Sequence, residues 1–310
     1  IVHYHNSYFV GFLMDGILLL EKQKETNHYQ IQSLPINSGV FCLKKDRFQD
    51  VVWIGTDGQG VYLYSNPLYS IKSMVLSNYT EKIERPVRAI YLDDERTFWV
   101  GTKGNGILKI YDYEFDKNIS DCRAEVLTTS NSALSSNAVY CFAKSHRNLL
   151  WIGDEEGLTY YSYREKRIKS IPIRIGNEDF KYIHDIYETA DSELWLASVG
   201  MGVVKARIAG TPDNPVIVDA QRYIINDGEL GSNYFFTIYA ENEANLLFGN
   251  KGYGVFRYNE TTNGLEPVST HKYENMTLNN ILAISKDSSN NYLFGTSYGL
   301  IKYTSETSYQ

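Results

Sequence analysis

The sequence predicts an all-β fold, a seven-bladed β-propeller of four-stranded antiparallel blades. The first observation is a repeated pattern, clearest at VVWIGTDGQGVYLY (51–64), in which a buried strand, a glycine turn and a second strand follow one another. The pattern occurs seven times, and the residue after each aromatic–aliphatic pair anchors a copy: Gly11, Gly55, Gly101, Gly153, Ala197, Gly249 and Gly295. The anchors are 44 to 52 residues apart. Strand-only repeats of this length are typical of propeller blades.

The tryptophans and glycines fix the register of the repeat. All four tryptophans stand two residues before an anchor: Trp53, Trp99, Trp151 and Trp195. A second glycine follows each anchor by four or five residues: Gly16, Gly60, Gly106, Gly157, Gly202, Gly254 and Gly299. We expect φ > 0 at these glycines, because a short hairpin turn commonly needs it. We expect the tryptophans to be core residues, since one ligand would not need the same residue in four blades.

Composition narrows the class of protein. The 310 residues include 26 tyrosines, and 43% are hydrophobic, which suits one large packed β-domain. A net charge of −7 leaves no basic surface for nucleic acid. No run of 18 apolar residues occurs, so no membrane contact is expected of this segment. The three cysteines lack metal-ligand spacing, and we predict neither a metal nor a cofactor.

Each repeat is predicted to contain four strands in a fixed order. An inner strand comes first, and simple alternation places Val40 and Cys42 on one face and Leu43 on the other. The tryptophan-bearing strand is second, and the strand after the second glycine is third. The fourth, for example at 30–35 or 167–173, is the least regular, as expected of an outer edge strand.

The two ends of the chain depart from the repeat. In the later copies the inner strand begins 14 or 15 residues before its anchor, which for the first copy would lie before residue 1. The chain also stops soon after the third strand of the seventh copy. We therefore expect residues 1–310 to form a single propeller cut from a longer multidomain protein. Blade one would lack part of its inner strand, and blade seven its outer strand.

The inner strands carry one set of candidate ligand-binding residues. Asp185 is the one acidic residue in the middle of an inner strand, and it follows His184. Arg88 and Tyr140 stand at the position equivalent to His184. A glycosidase needs two carboxylates roughly 5–10 Å apart, and no such pair is evident, so we assign no catalytic residue. These side chains can serve the blade interface or contact a ligand, and both roles stay open.

The turns after the second strands carry another set of candidates. They offer aromatic, amide and basic groups that suit sugar stacking and hydroxyl hydrogen bonds: Lys103, Asn105, Tyr253 and Tyr298. The alternative is that these residues are solvated hairpin tips. The four tryptophans, and the anchor and second glycines of the two clearest copies, are assigned a structural role only: Trp53, Trp99, Trp151, Trp195, Gly55, Gly60, Gly101 and Gly106.

The repeat resembles a known family. The pattern W-[IV]-G-T-x-G-x-G, preceded by an Asp-rich turn and by L-S-S-N (134–137), is similar to the two-component regulator propeller repeat. The resemblance covers essentially the whole chain, is strongest at 53–64 and 99–110, and is degenerate in the first copy and around Ala197. Such repeats occur mostly in periplasmic sensor regions of hybrid two-component systems of gut Bacteroidetes. There, propellers precede an immunoglobulin-like domain, a membrane helix and a histidine kinase.

The resemblance implies a non-catalytic periplasmic sensor propeller that responds to oligosaccharides and relays to a kinase outside this segment. The implied partners are an oligosaccharide ligand and the neighbouring propeller and immunoglobulin-like domain of the same protein, and a homodimer is left open. No nucleic acid is expected as a partner. Two alternatives remain, a propeller-type polysaccharide lyase or hydrolase and a surface scaffold of a secretion system.

Overall fold

The structure, a computed structural model, is a seven-bladed β-propeller, as the sequence predicts. It describes residues 1–23, 28–65, 70–74, 83, 85–113, 122–225, 233–268, 280–305 and 308–309. Within these ranges there is no helix, and hence none that could cross a membrane. Seven four-stranded antiparallel sheets, here called blades 1 to 7 in chain order, account for nearly all of the strands.

The chain divides into two compact units, and the first comprises Ile1–Asn131 and Asn137–Val139. It contains blades 1 to 3. Their strands are β1 (Val2–Tyr4), β2 (Ser7–Gly11), β3 (Ile17–Lys22) and β4 (Tyr29–Leu34); β5 (Val40–Lys45), β6 (Val51–Thr56), β7 (Val61–Ser65) and β8 (Ser70–Met74); β9 (Val87–Leu92), β10 (Phe98–Thr102), β11 (Ile107–Ile110) and β12 (Ala124–Leu127).

The second unit, Ser132–Ser136 and Tyr140–Gln310, carries blades 4 to 7. A two-stranded hairpin, β17 (Arg174–Ile175) with β18 (Glu178–Asp179), lies between blades 4 and 5 in the chain. The blade strands are β13 (Val139–Lys144), β14 (Leu149–Asp154), β15 (Leu158–Ser162) and β16 (Arg167–Ser170); β19 (Ile183–Glu188), β20 (Glu193–Ser198), β21 (Gly202–Thr211) and β22 (Asn214–Tyr223); β23 (Phe235–Asn242), β24 (Asn245–Asn250), β25 (Gly254–Asn259) and β26 (Gly264–Pro267); β27 (Ile281–Lys286), β28 (Tyr292–Thr296), β29 (Gly299–Ser305) and β30 (Ser308–Tyr309).

The core lies between consecutive blades of each unit. In the first unit, for example, Trp53 of blade 2 packs in one cluster with Val87 and Phe98 of blade 3. The anchor glycines follow from this packing. A Cβ on Gly55 would lie 2.9 Å from Val87 Cγ1, and one on Gly153 would lie 2.8 Å from Ile183 Cγ2. Since the next inner strand fills this space, a side chain at the anchor would push neighbouring blades apart.

The second glycines adopt the conformation that the sequence predicts. All seven have positive φ, from 75° at Gly106 to 145° at Gly157. At Gly106 a Cβ would also overlap the carbonyl oxygen of Leu127 in the fourth strand. Both the backbone conformation and the close approach therefore require glycine at this turn.

The inner strands correct one prediction. In β5, Val40 pairs with Thr56 and Cys42 with Gly55, so an irregularity of one residue separates Val40 from Cys42. Such a β-bulge reverses the alternation that follows it. Accordingly a Cβ on Gly11 of the preceding blade would meet both Val40 and Leu43. The prediction that Val40 and Cys42 share a face is wrong, because periodicity alone does not reveal the extra residue.

Of the two terminal blades, blade 7 differs from the prediction, whereas the short inner strand of blade 1 agrees with it. Blade 1 has four strands, although its inner strand β1 is only three residues long. Blade 7 also has four, since Tyr309 pairs with Tyr303 and Ser308 with Ser305. The prediction that blade 7 lacks its outer strand is therefore wrong. Strand β29 runs on to Ser305, and its open edge offers backbone groups that the last residues pair with.

Candidate functional site: inner-strand bulges and hairpin tips

The bulges place one residue per inner strand outside the regular ladder. Five strands show this register shift directly, and Tyr140 of β13 holds the same position after its valine. These residues are all half-buried, and we call them the bulge row: Phe41, Arg88, Tyr140, His184, Phe236 and Leu282. The structure thus brings three of the predicted inner-strand residues to equivalent positions, and adds aromatic neighbours that the sequence did not single out.

Members of the bulge row contact one another within each unit. In the second unit the rings of Tyr140 and His184 stack with centroids 4.4 Å apart and planes 19° apart. Phe236 meets His184 edge-on at 5.8 Å. In the first unit the Arg88 guanidinium carbon lies 3.9 Å from the centroid of the Phe41 ring. Aromatic faces and a stacked cation are groups that recognise flat or polyhydroxylated ligands.

Asp185, the other inner-strand candidate, is held by backbone groups. Its Oδ1 accepts the N–H of Ile186 at 2.9 Å, and its Oδ2 accepts the N–H of Ile238 in the next inner strand at 2.7 Å. The carboxylate therefore links β19 to β23. It pairs with the anchor Ala197 across the strand, at the position that Cys42 and Thr237 hold opposite Gly55 and Gly249. This geometry favours the interface role over chemistry, because both oxygens are already hydrogen-bonded.

The hairpin tips are bound to the turn that enters the next inner strand. In the second unit the carbonyl of Asn233 accepts the N–H of Gly200 at 3.1 Å and of Gly202 at 3.0 Å. The Asn233 side chain also accepts the N–H of Ile225 at 2.6 Å. Asn137 makes the same three bonds in the first unit, to Gly104, Gly106 and Thr129. Asn137, which closes L-S-S-N (134–137), and Asn233, which closes the similar sequence L-G-S-N (230–233), thus secure the tips.

The predicted tip residues take different environments. Asn105 is engaged by the backbone, since its Oδ1 accepts the N–H of Arg85 at 3.0 Å. Lys103 forms an isolated bridge with Ala138, and its side chain is exposed. Tyr253 packs against a core cluster, whereas Tyr298 is 67% exposed. Lys103 and Tyr298 therefore offer free surface, and Asn105 and Tyr253 serve the fold.

The tryptophans are buried, with exposures of 0 or 1%. The indole N–H of Trp53 donates to Asp46 at 2.8 Å, and that of Trp99 donates to Asp93 at 2.9 Å. Each of these aspartates ends an inner strand and also accepts backbone N–H groups of the following turn. Burial leaves no indole face for a sugar, and the hydrogen bond fixes the ring to its turn.

In blade 4 the acceptor for the tryptophan indole N–H comes from a different strand. Ser145 holds the place of Asp46 and Asp93, and the indole N–H of Trp151 donates instead to Glu188 of β19 at 2.7 Å. Ser145 Oγ donates to the same carboxylate at 2.5 Å. Glu188 is 37 residues from Trp151, so sequence inspection offered no sign of this pairing.

Blade 4 also contains a buried acid in its hairpin. Asp154 is fully buried and accepts the Ser135 hydroxyl at 2.6 Å and the N–H groups of Glu156 and Gly157 at 2.9 and 3.0 Å. Burial raises its pKa to about 6, and the hydrogen bonds oppose this rise. Blades 2, 3, 5, 6 and 7 have an uncharged polar residue here, such as Thr56 or Asn250, and blade 1 has Phe12, so this acid distinguishes blade 4.

Reactive groups suited to metal or nucleophilic chemistry are not assembled in the part of the chain that the structure describes. There, no group of three His, Cys, Asp or Glu side chains could hold a metal ion. Burial raises the pKa of the Cys42 thiol to about 12, and that of Cys141 well above its ordinary value. Such thiols stay protonated near neutral pH and are poor nucleophiles.

The fold and these contacts define a propeller whose inner-strand and tip groups serve blade-to-blade contacts and leave a few aromatic and basic side chains accessible. Solved structures with this fold include the extracellular domain of a putative hybrid two-component system of B. thetaiotaomicron, with a TM-score of 0.70 and 20% identity over 97% of this chain. The extracellular domain of a putative one-component system of the same organism has a TM-score of 0.63 and 17% identity over 96%. The resemblance stated from the sequence is confirmed for the fold.

The chain spans 38% and 40% of the length of those two extracellular domains. A streptogramin B lyase also has this fold, with a TM-score of 0.67, 11% identity, and 96% of this chain and 93% of the lyase covered. No family model matches the sequence. Translation initiation factor 6 of Saccharolobus solfataricus is 31% identical over 140 residues, which cover 41% of this chain and 57% of that protein. The last match is partial in both chains.

Proposed function

We propose that this chain is a non-catalytic propeller of an extracytoplasmic sensor, which binds oligosaccharides or holds neighbouring domains of the same protein. The observation that carries the proposal is the likeness to an extracellular domain of a hybrid two-component system over 97% of the chain, at a TM-score of 0.70. In this proposal the propeller lies in the periplasm. It passes ligand occupancy to a kinase elsewhere in the parent protein.

The state of the acidic groups supports binding over catalysis. Both carboxylate oxygens of Asp185 accept backbone N–H groups, while Asp93 and Glu188 each accept a tryptophan indole N–H. A glycosidase would need two carboxylates facing one substrate, one as acid and one as base or nucleophile. Because these acids already accept hydrogen bonds within the fold, they are poorly placed to act as the acid and the base or nucleophile of a glycosidase.

Calorimetry of the purified chain against a panel of oligosaccharides, with chromatography of each mixture after incubation, tests this proposal. We expect heat of binding for a subset of glycans and no shortened or unsaturated product. Product formation would contradict the non-catalytic assignment. Absence of binding by every glycan would leave the domain-holding role and remove the sensor role of this propeller.

The bulge row supplies a matched pair of variants for the same assay. His184→Ala removes a ring that stacks on Tyr140 and touches Phe236. Leu282→Ala shortens the side chain at the equivalent position of β27, where no ring stacks. If the row contacts ligand, His184→Ala should weaken binding about tenfold or more, while Leu282→Ala changes it little. Equal effects of both variants would remove the bulge row as a ligand surface.

An enzyme of the lyase class is a second candidate, favoured by the likeness to streptogramin B lyase over 93% of that protein. It predicts product release that depends on an inner-strand acid. Asp185→Asn is the decisive variant, since the amide keeps the shape of the side chain while losing its charge. Activity abolished by Asp185→Asn in a protein that melts like the parent would favour this candidate.

A further inference from the structure

Blade 5 lacks the carboxylate that other blades supply to tryptophan. Trp53, Trp99 and Trp151 each donate their indole N–H to an Asp or Glu oxygen 2.7 to 2.9 Å away. In blade 5 the position of Asp46 and Asp93 is held by Thr189. Among the described residues no acceptor is hydrogen-bonded to the indole N–H of Trp195, although the side chain is 99% buried.

A cavity of about 210 Å³ lies beside Thr189 and Trp195. Its floor is formed by three buried residues, Thr189, Trp195 and Tyr258. Its rim carries three exposed acids, Asp191, Glu243 and Glu260. All of these residues lie in blades 5 and 6 or the turns next to them, within one compact unit.

The indole of Trp195 can take a ligand only through its edge. Tyr223 stacks on the ring at 5.8 Å with planes 22° apart, and Tyr258 meets it edge-on at 4.6 Å. Lys205 Nζ lies 5.4 Å from the ring centroid and is paired with Glu193 at 2.9 Å. Packed in this way, Trp195 offers the cavity one directed donor, its N–H.

The charges around the cavity decide the chemical class of the ligand. An anion would satisfy the indole N–H but would enter beside Asp191, Glu243 and Glu260, while the one lining cation, Lys205, already has Glu193 as a partner. A simple cation would suit the acids but has no lone pair to accept the indole N–H. A hydroxyl group accepts from the indole and donates to a carboxylate at once.

We propose that the cavity beside Trp195 binds a neutral polyhydroxyl group, one monosaccharide unit of a larger glycan. The site rests on the proposed sensor function and gives it a location. One hydroxyl oxygen accepts the Trp195 N–H, and neighbouring hydroxyls donate to the rim acids. Glu243 retains one oxygen for this purpose, because its Oε1 accepts the N–H of Ala190 at 2.6 Å.

The indole N–H resonances of the ¹⁵N-labelled chain give a direct test, since the protein has four tryptophans and therefore four such signals. Trp195→Phe removes one signal and assigns it. The probes are methyl glycosides of glucose, galactose and mannose, together with anionic galacturonate and cationic glucosamine. We expect at least one neutral glycoside to shift the Trp195 signal while the other three stay in place. Galacturonate should have no effect.

Thr189→Asp closes the site with the residue that blades 2 and 3 use. The new carboxylate should accept the Trp195 N–H, raise the melting temperature and weaken glycoside binding at least tenfold. Asp15→Asn, an exposed acid of blade 1, is the matched control for a change of one charge and should leave binding unaltered. Trp195→Phe keeps an aromatic ring without the donor and should weaken binding about fivefold, provided its amide spectrum remains that of a folded chain.

The outcomes distinguish failure of this site from failure of the proposed sensor function. Glycans that bind by calorimetry without shifting the Trp195 signal, or that bind Thr189→Asp as well as the parent, would overturn the site and leave the sensor proposal intact. A larger shift with glucosamine than with any neutral glycoside would overturn the neutral class. If no neutral glycoside moves the signal and no glycan binds by calorimetry, the site and the sensor role are both overturned, and the domain-holding role remains.

Discussion

Blades 3 and 5 share strand register but differ at one buried position, and the difference shows what the repeat leaves free. In blade 3 the indole of Trp99 donates to Asp93, and that aspartate also accepts the N–H groups of Glu95 and Thr97. In blade 5 the corresponding turn has Thr189, and the indole of Trp195 lines a cavity. The tryptophan and its strands are set by packing, whereas the acceptor varies. The residue that meets the indole therefore changes between these blades while the tryptophan keeps an equivalent lysine partner in the third strand, Lys109 or Lys205.

Removing the indoles should give the largest effect and sharpen this comparison. Trp99→Ala and Trp195→Ala each empty a fully buried site, which costs about 3–5 kcal/mol. Trp99→Ala should cost about 1 kcal/mol more, because it also takes a donor from the buried Asp93. Urea denaturation of both variants measures the difference. A Trp195 variant that is the less stable of the two would break the comparison.

Removing the acceptor should have the next largest effect. Asp93→Ala leaves two backbone N–H groups and one indole N–H without their partner, and we expect a loss of about 2–4 kcal/mol. Thr189→Ala should cost about 1 kcal/mol, since the threonine hydroxyl accepts the N–H of Glu193 at 3.1 Å and donates to the carbonyl of the same residue at a long 3.4 Å. Glu95→Ala, an exposed neighbour, is the control and should melt like the parent. Similar losses from Asp93→Ala and Thr189→Ala would contradict this account.

Blade 4 allows the position of the carboxylate to be exchanged. Glu188→Ala should destabilise by about 2 kcal/mol, since Trp151 and Ser145 lose their acceptor. Ser145→Asp alone should also destabilise, because two carboxylates then share one indole. The double variant moves the acid to the place it has in blade 3, and should be more stable than the sum of the single effects by about 1 kcal/mol or more. Strictly additive effects in thermal denaturation would argue against a shared indole.

A further effect is expected from pH, at the other unusual acid of blade 4. The pKa of Asp154 is raised from 3.8 to about 6, so the folded chain holds this proton more tightly than the unfolded chain. The resulting stabilisation is complete below about pH 4 and is lost as pH rises through about 6. The stability of Asp154→Asn relative to the parent should thus be greater near pH 8 than near pH 4 by about 3 kcal/mol. Asp15→Asn should show no such pH dependence, and a constant advantage for Asp154→Asn would refute the explanation.

The sequence predicted the architecture because each blade repeats the same local code. Tryptophan, anchor glycine and turn glycine lie within eight residues, so strand, turn and strand can be read from one stretch such as 53–60. The bulges could not be predicted from the sequence, because one extra residue per inner strand changes neither the composition nor the spacing that a period-two pattern detects. Val40 and Cys42 were assigned to one face for that reason.

The candidate site was predictable only where chemistry is local. Arg88, Tyr140 and His184 were recognised as equivalent positions, but their aromatic neighbours Phe41 and Phe236 looked like ordinary strand residues. The pairing of Trp151 with Glu188 depends on how adjacent blades pack. The cavity beside Trp195 depends on Thr189 standing where blades 2 and 3 have an aspartate bonded to the indole. Contacts between repeats are set by three-dimensional packing and leave no spacing signal within one repeat.

The bonds from the hairpin tips to Asn233 have a consequence for how the blades open. Because the N–H groups of Gly200 and Gly202 are held by a carbonyl that belongs to the turn before β23, they can meet solvent only when that turn moves. Their hydrogen-exchange rates therefore report the separation of two neighbouring sheets rather than fraying of one hairpin. The hairpin tip thus fastens its sheet to the turn before the next sheet. The exchange rates of its amides measure how cooperatively neighbouring repeats open.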